Sequence, residues 1–127
     1  MNVIHFSPHF PDNYYRFSTA LRELGANPLG IGDAAYDELR PELRAALGEY
    51  YRVDSMEDYE QVYRAVAYLC FRHGRAAVLD SFNEYWMQTE ARLRSDFNIP
   101  GLNLETIGPV KRKSLMKEKF RQAGIAV

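Results

Sequence analysis

The chain has 127 residues, of which 46% are hydrophobic and 13% aromatic, and a formal net charge of −1. This composition predicts one soluble globular domain and excludes a disordered or fibrous protein. The apolar runs are too short to cross a membrane, the first residues lack the charged flank of a signal peptide, and Cys70 is the single cysteine. We therefore expect a cytoplasmic protein with no internal disulfide and no cysteine-based metal site.

The first half of the chain alternates short apolar runs with helical patterns. Residues 3–6 and 28–31 predict buried strands. Asp12 is placed to cap a helix between them, and residues 36–47 predict a further helical segment that Pro41 divides into a turn and a short helix. The apolar face predicted for the first helix consists of Tyr14, Phe17, Leu21 and Leu24.

The second half repeats this alternation. Residues 50–53 predict a third strand, and residues 76–79 together with Phe82 predict a fourth. A capping signal at residues 55–58 precedes a long helix, and another helix begins at about Glu84. The face predicted for that last helix consists of Trp86, Thr89, Leu93 and Phe97.

Strands that alternate with helices predict βαβ units, because parallel strands need a crossover connection. The expected fold is α/β: a small Rossmann-like three-layer sandwich of four parallel strands, with helices on both faces of the sheet. A basic helix that would serve as a C-terminal linker follows this domain.

In such sheets ligands bind beyond the carboxyl ends of the strands, which directs attention to the loops there. The first of these loops carries Ser7, His9 and Asn13 and contains two prolines. It has no Gly-x-Gly-x-x-Gly pattern, which argues against NAD. His9 could act as a general base or a phosphate contact, or could simply be an exposed histidine.

Two other loops carry candidate polar residues. Asp33 follows the second strand, where an acid could bind a ribose or merely cap a turn. Asn83 and Glu84 follow the fourth strand, where an amide and an acid could hold a substrate amine, although the N-terminus of a helix favours a glutamate in any case. Trp86 fits packing better than stacking on a ligand. No metal-binding spacing is present.

The segment Leu104-Glu-Thr-Ile107, followed by Lys113-Ser-Leu-Met-Lys-Glu-Lys-Phe-Arg-Gln-Ala-Gly124-Ile, resembles the linker of ATP-grasp enzymes. In those enzymes this linker leads from the pre-ATP-grasp domain into the ATP-grasp fold. The group includes biotin carboxylase, the large subunit of carbamoyl phosphate synthetase and the carboxylate–amine ligases. On this resemblance Lys113 occupies the position of a lysine that contacts ATP.

The front half resembles a subgroup of such ligases whose substrate is unassigned. The matching stretches are Ser7-Pro-His-Phe-Pro11, Gly30-Ile-Gly-Asp33, Tyr36-Asp-Glu-Leu-Arg-Pro-Glu-Leu43 and Asn83-Glu-Tyr-Trp86. The first loop departs from the glycine-rich loop of biotin carboxylase, which argues against a biotin or bicarbonate role.

The resemblance implies that residues 1–101 form a pre-ATP-grasp domain, and that residues 102–127 form a linker helix leading into an ATP-grasp domain beyond Val127. In the family, ATP phosphorylates a small carboxylate substrate, and an amine attacks the acylphosphate. ATP and Mg²⁺ would bind in the parent enzyme. This chain alone would bind neither and would not be catalytic, with Ser7, His9, Asn13, Asp33, Asn83 and Glu84 as substrate-side candidates.

Two other functions remain open at this stage. Residues 110–124 carry six basic side chains and one acidic side chain, so the basic helix could bind an anionic partner. Confinement of these charges to one segment argues against nucleic acid. A small self-contained enzyme built around His9 and Glu84 is the other option. We also expect the apolar residues of the terminal segment to promote a homodimer at high protein concentration.

Overall fold

The computed structural model describes residues 1–105, so Lys113 and most of the predicted linker lie outside the described residues. The strands within this range are β1 (Asn2–Phe6), β2 (Asn27–Gly32), β3 (Glu49–Arg52) and β4 (Ala76–Asp80). The α-helices of the same range are α1 (Tyr15–Glu23), α2 (Pro41–Ala46), α3 (Tyr59–His73) and α4 (Met87–Phe97). Short 3₁₀ turns at Asp12–Tyr14, Tyr36–Glu38 and Glu84–Trp86 precede α1, α2 and α4.

The four strands form one parallel sheet in the order β3-β2-β1-β4. Helices α1 and α2 pack together on one face, while α3 and α4 pack together on the other. This arrangement confirms the predicted Rossmann-like α/β fold. The chain moves outward from β1 to β3 and then crosses to β4 on the other side of β1, so the winding direction reverses between β1 and β4.

The two faces of β1 are buried under different helices. Ile4 and Phe6 belong to the main apolar core with Leu29 and Ile31 of β2. His5 points to the opposite face, where its Nδ1 lies 2.5 Å from the hydroxyl of Ser18 in α1. The alternation of side chains along a strand therefore places one buried polar residue among apolar ones.

The prediction that Asp12 caps the first helix is wrong. Asp12 begins the 3₁₀ turn, α1 starts only at Tyr15, and no side chain caps that helix. The carboxylate of Asp12 instead accepts a hydrogen bond from Arg40 at 3.3 Å. The predicted apolar face of α1 is also only partly correct, because Leu24 at its end is 83% exposed.

Phe82 does not belong to the fourth strand, which ends at Asp80. Its backbone turns to a φ of 61°, and its ring stacks on Phe17 of α1 with the ring centroids 4.2 Å apart. An aromatic residue two positions past a strand fits a continuing period-2 pattern, although here it anchors the loop after the strand.

The predicted buried face of α4 is correct for Leu93 but omits a buried polar pair, Glu90 and Arg94. Arg94 donates hydrogen bonds to the carbonyl of Leu79 and to Glu90. Glu90 also accepts a hydrogen bond from the backbone N–H of Ser81 at 2.9 Å. Each buried charge thus has partners, as burial of a charge requires.

Candidate functional site

A cavity of about 400 Å³ lies at the carboxyl edge of the sheet, where the winding direction reverses. We call it the switch-point cavity. Loops that follow all four strands line it: Ser7, His9 and Phe10 after β1, Asp33 after β2, Met56 after β3, and Asn83, Tyr85 and Trp86 after β4. This is the place in the fold where sheets of this type bind ligands.

The two loops that flank the reversal begin with unusual backbone conformations. Ser7 directly follows β1 with a φ of 59°, and Phe82 follows β4 with a φ of 61°. Residues other than glycine seldom adopt such angles, which cost about 1–3 kcal/mol and cluster at functional sites. The N–H of Ser7 donates to the carbonyl of Ile31 at 2.7 Å, which ties the first loop to β2.

His9 and Asp33 form a hydrogen bond in the cavity wall. Nε2 of His9 lies 2.9 Å from Oδ1 of Asp33, and the side chain of Asp33 stays 53% exposed. Glycine at position 32 is required for this contact, because a Cβ there would lie 2.9 Å from Nδ1 of His9 and 2.6 Å from the Tyr50 hydroxyl. The absence of a side chain at Gly32 thus leaves room for the imidazole beside the end of β2.

The remaining ring nitrogen of His9 decides which tautomer the geometry favours. Its Nδ1 is buried and has no hydrogen-bond partner within residues 1–105. A proton on Nδ1 would therefore be a buried donor without an acceptor, which is costly. The neutral ring with its proton on Nε2, donated to Asp33, fits these contacts.

The hydroxyl of Tyr50 holds the loop that carries Asp33. It donates to the carbonyl of Ala34 at 2.6 Å. Burial raises the pKa of Tyr50, and the nearby charge of Asp33 raises it further. The hydroxyl therefore stays a donor, which keeps this loop in place beside His9.

The loop after β4 is ordered by local hydrogen bonds. The side-chain oxygen of Asn83 accepts from the N–H of Tyr85 at 3.0 Å, and the hydroxyl of Tyr85 donates to Glu57 at 2.5 Å. This second bond joins the loops after β3 and β4 at the rim of the cavity and raises the pKa of Tyr85. Trp86 packs edge-on against Phe6, with ring centroids 5.3 Å apart, and also lines the cavity.

A second cavity, of about 420 Å³, lies beside the first and is lined by other residues of the loop after β4 and by α4. Glu84 lines it together with Glu90 and Arg94, and only Asn83 belongs to both cavities. Burial raises the pKa of Glu90, although its hydrogen bonds and Arg94 act in the opposite direction. We interpret this pair as support for the loop after β4, because Glu90 accepts a hydrogen bond from the N–H of Ser81 at the start of that loop.

His5 lies directly below the first loop, on β1. Burial is the main cause that lowers its pKa to about 3. Phe17 and Phe82 meet its ring edge-on. It is therefore a neutral core histidine and not a residue that exchanges protons with a ligand.

The structure gathers four of the six substrate-side candidates in one cavity: Ser7, His9, Asp33 and Asn83. Glu84 faces the neighbouring cavity, so His9 and Glu84 do not meet in one site. Asn13 is exposed in the first 3₁₀ turn and does not line the switch-point cavity. Lys113 lies outside the described residues.

Sequence reasoning missed Phe10, Met56 and Tyr85 as lining residues. Their only signal is their position in the loops that follow β1, β3 and β4.

Within residues 1–105 no cluster of histidine, cysteine, aspartate and glutamate is suited to hold a metal ion. Over the same range, no helix combines the length and the apolar character that crossing a membrane requires.

The fold is shared with a solved enzyme. The chain is similar in structure to the L-amino acid ligase from Bacillus licheniformis, with a TM-score of 0.69 and 18% sequence identity. The match covers 99% of this chain but 31% of the ligase, so the chain spans less than a third of that enzyme's length. No protein-family model and no curated protein matches the sequence. At this identity the likeness establishes the fold alone.

Proposed function

We propose that this chain is the N-terminal, substrate-side domain of an ATP-dependent ligase that joins a carboxylate to an amine. The observation that supports this most strongly is the switch-point cavity, which occupies the ligand edge of a fold shared with an L-amino acid ligase. The resemblance of the segment that contains Lys113 to the linker of ATP-grasp enzymes points to the same class.

The described residues suit binding and orientation of a small substrate. Ser7, Asp33 and Asn83 bring polar groups to the cavity, and Met56 and Trp86 supply apolar contact. Such a pocket, mostly apolar with a few convergent polar groups, is typical of small-molecule sites. The loops that carry these groups are tied to the sheet and to each other, so the cavity is preformed.

The same residues do not fit a nucleotide. Phosphate groups need cationic side chains, backbone N–H groups from a glycine-rich loop, or a metal ion. Among the described residues, the switch-point cavity has no lysine or arginine in its lining, and its acidic side chain would repel a phosphate. In this proposal ATP and Mg²⁺ bind outside residues 1–105, and the domain alone does not catalyse the reaction.

The proposal is tested in an enzyme that carries this chain together with an ATP-grasp domain. Its release of ADP should require both a carboxylate and an amine, as a screen of amino-acid pairs would show. His9→Ala should raise the KM for an organic substrate about tenfold, because Asp33 loses the hydrogen bond that holds it at the cavity, and should leave the KM for ATP unchanged.

Asn13→Ala is the matched control, because Asn13 comes from the same loop but does not line the cavity. It should leave both KM values unchanged. ADP release that needs no organic substrate, or a change in the KM for ATP alone in His9→Ala, would refute a substrate-side role.

A further inference from the structure

We propose that the switch-point cavity binds the ammonium end of an amine that has an apolar body, and that it excludes carboxylates. Assigning this amine as the nucleophilic substrate rests on the function proposed above. The preference for a cation rests on the cavity alone.

Among residues 1–105, the charged side chain that lines the cavity is negative. Asp33 is the acidic side chain that lines it, and no lysine or arginine from residues 1–105 does so. The neutral tautomer of His9 satisfies one oxygen of Asp33 without compensating its charge. An ammonium group can therefore donate to an exposed carboxylate, whereas a bound carboxylate would face Asp33 with no cation beside it.

A second carboxylate reinforces this sign at the rim. Glu57 accepts the hydroxyl of Tyr85 at 2.5 Å, where the loops after β3 and β4 meet. Its charge lies beside Tyr85, which lines the cavity, and attracts cations over distances of about 10 Å at moderate salt. Arg40 lines a different pocket that His9 also borders, and it is paired there with Asp12 and Glu42.

The other side chains that line the cavity favour a ligand whose ammonium group is attached to an apolar body. Met56 is 97% buried beneath the cavity, and Trp86 and Phe10 add aromatic surface. Aromatic faces attract cations, and they also cover the carbon skeleton of a ligand. A volume of about 400 Å³ accommodates a molecule of the size of a phenylethyl amine.

Three probes with one skeleton test the charge preference on the 127-residue chain: 2-phenylethylamine, 2-phenylethanol and 3-phenylpropanoate. Trp86 is the only tryptophan of the chain and lines the cavity, so its fluorescence reports binding there. We expect the amine to bind at least about tenfold more tightly than the anion, since one charge-assisted hydrogen bond supplies that difference. The neutral alcohol should fall between them.

Substitutions of Asp33 test whether its carboxylate causes the preference for the amine. Asp33→Asn should remove the advantage of the amine over the alcohol, and Asp33→Lys should make 3-phenylpropanoate the preferred probe. Asp54→Asn is the matched control, because Asp54 follows β3, is exposed and pairs with Arg52 outside the cavity. It should leave all three affinities unchanged. Asp33 is exposed, so these substitutions should not prevent folding, which circular dichroism would verify.

Tighter binding of 3-phenylpropanoate by the unmodified chain, or no difference among the three probes, would overturn the proposal. Neither outcome would affect the ligase function, because the cavity could then serve the carboxylate. Conversely, amine binding that depends on Asp33, in a protein whose ADP release needs no amine, would support the cavity's preference and refute the ligase function.

Discussion

The buried environment of His5 makes this side chain behave very differently from a histidine in water. It is fully buried, its Nε2 has no hydrogen-bond partner within residues 1–105, and burial lowers its pKa from 6.5 to about 3. As pH falls below 6.5, the unfolded chain takes up a proton at this position and the folded chain does not. The contribution of His5 to stability is therefore lost on acidification through that range.

The prediction is that His5→Gln reduces the acid sensitivity of the domain. Between about pH 6.5 and 4, the free energy of unfolding of the unmodified chain should fall relative to that of the variant, by at most about 1.4 kcal/mol per pH unit. Urea denaturation at several pH values measures this difference. Ser18→Ala removes the hydrogen bond to His5 but keeps the titrating ring, so it should retain the acid slope. Parallel pH profiles for the unmodified chain and His5→Gln would contradict the assignment.

The burial of a polar residue such as His5 cannot be predicted from the sequence pattern around it. Ile4 and Phe6 follow an apolar alternation that predicts their burial, whereas His5 between them could face either solvent or helices. The burial of Glu90 and Arg94 was equally hidden, since charged residues normally lie outside. Their burial depends on backbone groups at Leu79 and Ser81 that only the folded chain brings near.

At the scale of whole elements the sequence was more informative. The strands at 3–6 and 28–31 and the long helix that ends at Gly74 occur as predicted, within a residue or two. Gly74 has a φ of 91°, a backbone angle that residues other than glycine rarely adopt, and it follows the last residue of the helix. The start of α1 differs from the prediction. Asp12 has a suitable side chain for a cap, but it lies in a 3₁₀ turn and its carboxylate accepts a hydrogen bond from Arg40.

The start of α3 offers an element-scale prediction. The carboxylate of Asp58 accepts hydrogen bonds from the N–H of Glu60 and from the side chain of Gln61, both at 3.1 Å. Asp58→Ala should lower the free energy of unfolding by about 1 kcal/mol, because one N–H of the first turn loses its partner. Urea denaturation of the chain measures the change.

Asp54→Ala is a suitable control, because its side chain forms an exposed ion pair with Arg52 at the end of β3. Exposed pairs contribute little, so the loss should stay below about 0.5 kcal/mol. Equal losses in the two variants would mean that Asp58 does not act as a helix cap.

At the scale of the whole molecule, the fold brings together candidate residues that the sequence assigns only to separate loops. Ser7, His9, Asp33 and Asn83 were selected because each follows a strand, and the parallel sheet brings all four loops to one edge. The sequence could not show that the side chain of Glu84 faces the neighbouring cavity although Asn83, Tyr85 and Trp86 line the switch-point cavity. That direction depends on the backbone of Phe82 and on the hydrogen bonds of Ser81.

We propose that Lys113, which lies outside the described residues, acts on the nucleotide side of the reaction. By resemblance it would occupy the position of a lysine in the ATP-grasp linker, within a segment that contains all four lysines of the chain. In an enzyme that includes the ATP-grasp domain, Lys113→Ala should raise the KM for ATP, or lower kcat with it, by roughly tenfold or more. A lost charged contact of about 1.5–3 kcal/mol corresponds to such a change.

The same substitution should change the free energy of unfolding of the 127-residue chain by less than about 0.5 kcal/mol, because a lysine contact with a nucleotide is not needed for folding. Lys119→Ala removes an equal charge from the same segment and should leave the kinetics with ATP unaltered. If Lys111→Ala or Lys117→Ala shows the loss instead, the alignment with the linker is shifted and the family resemblance stands. If no lysine of the segment affects ATP, the basic cluster serves another purpose, and the binding of an anionic partner becomes the better explanation.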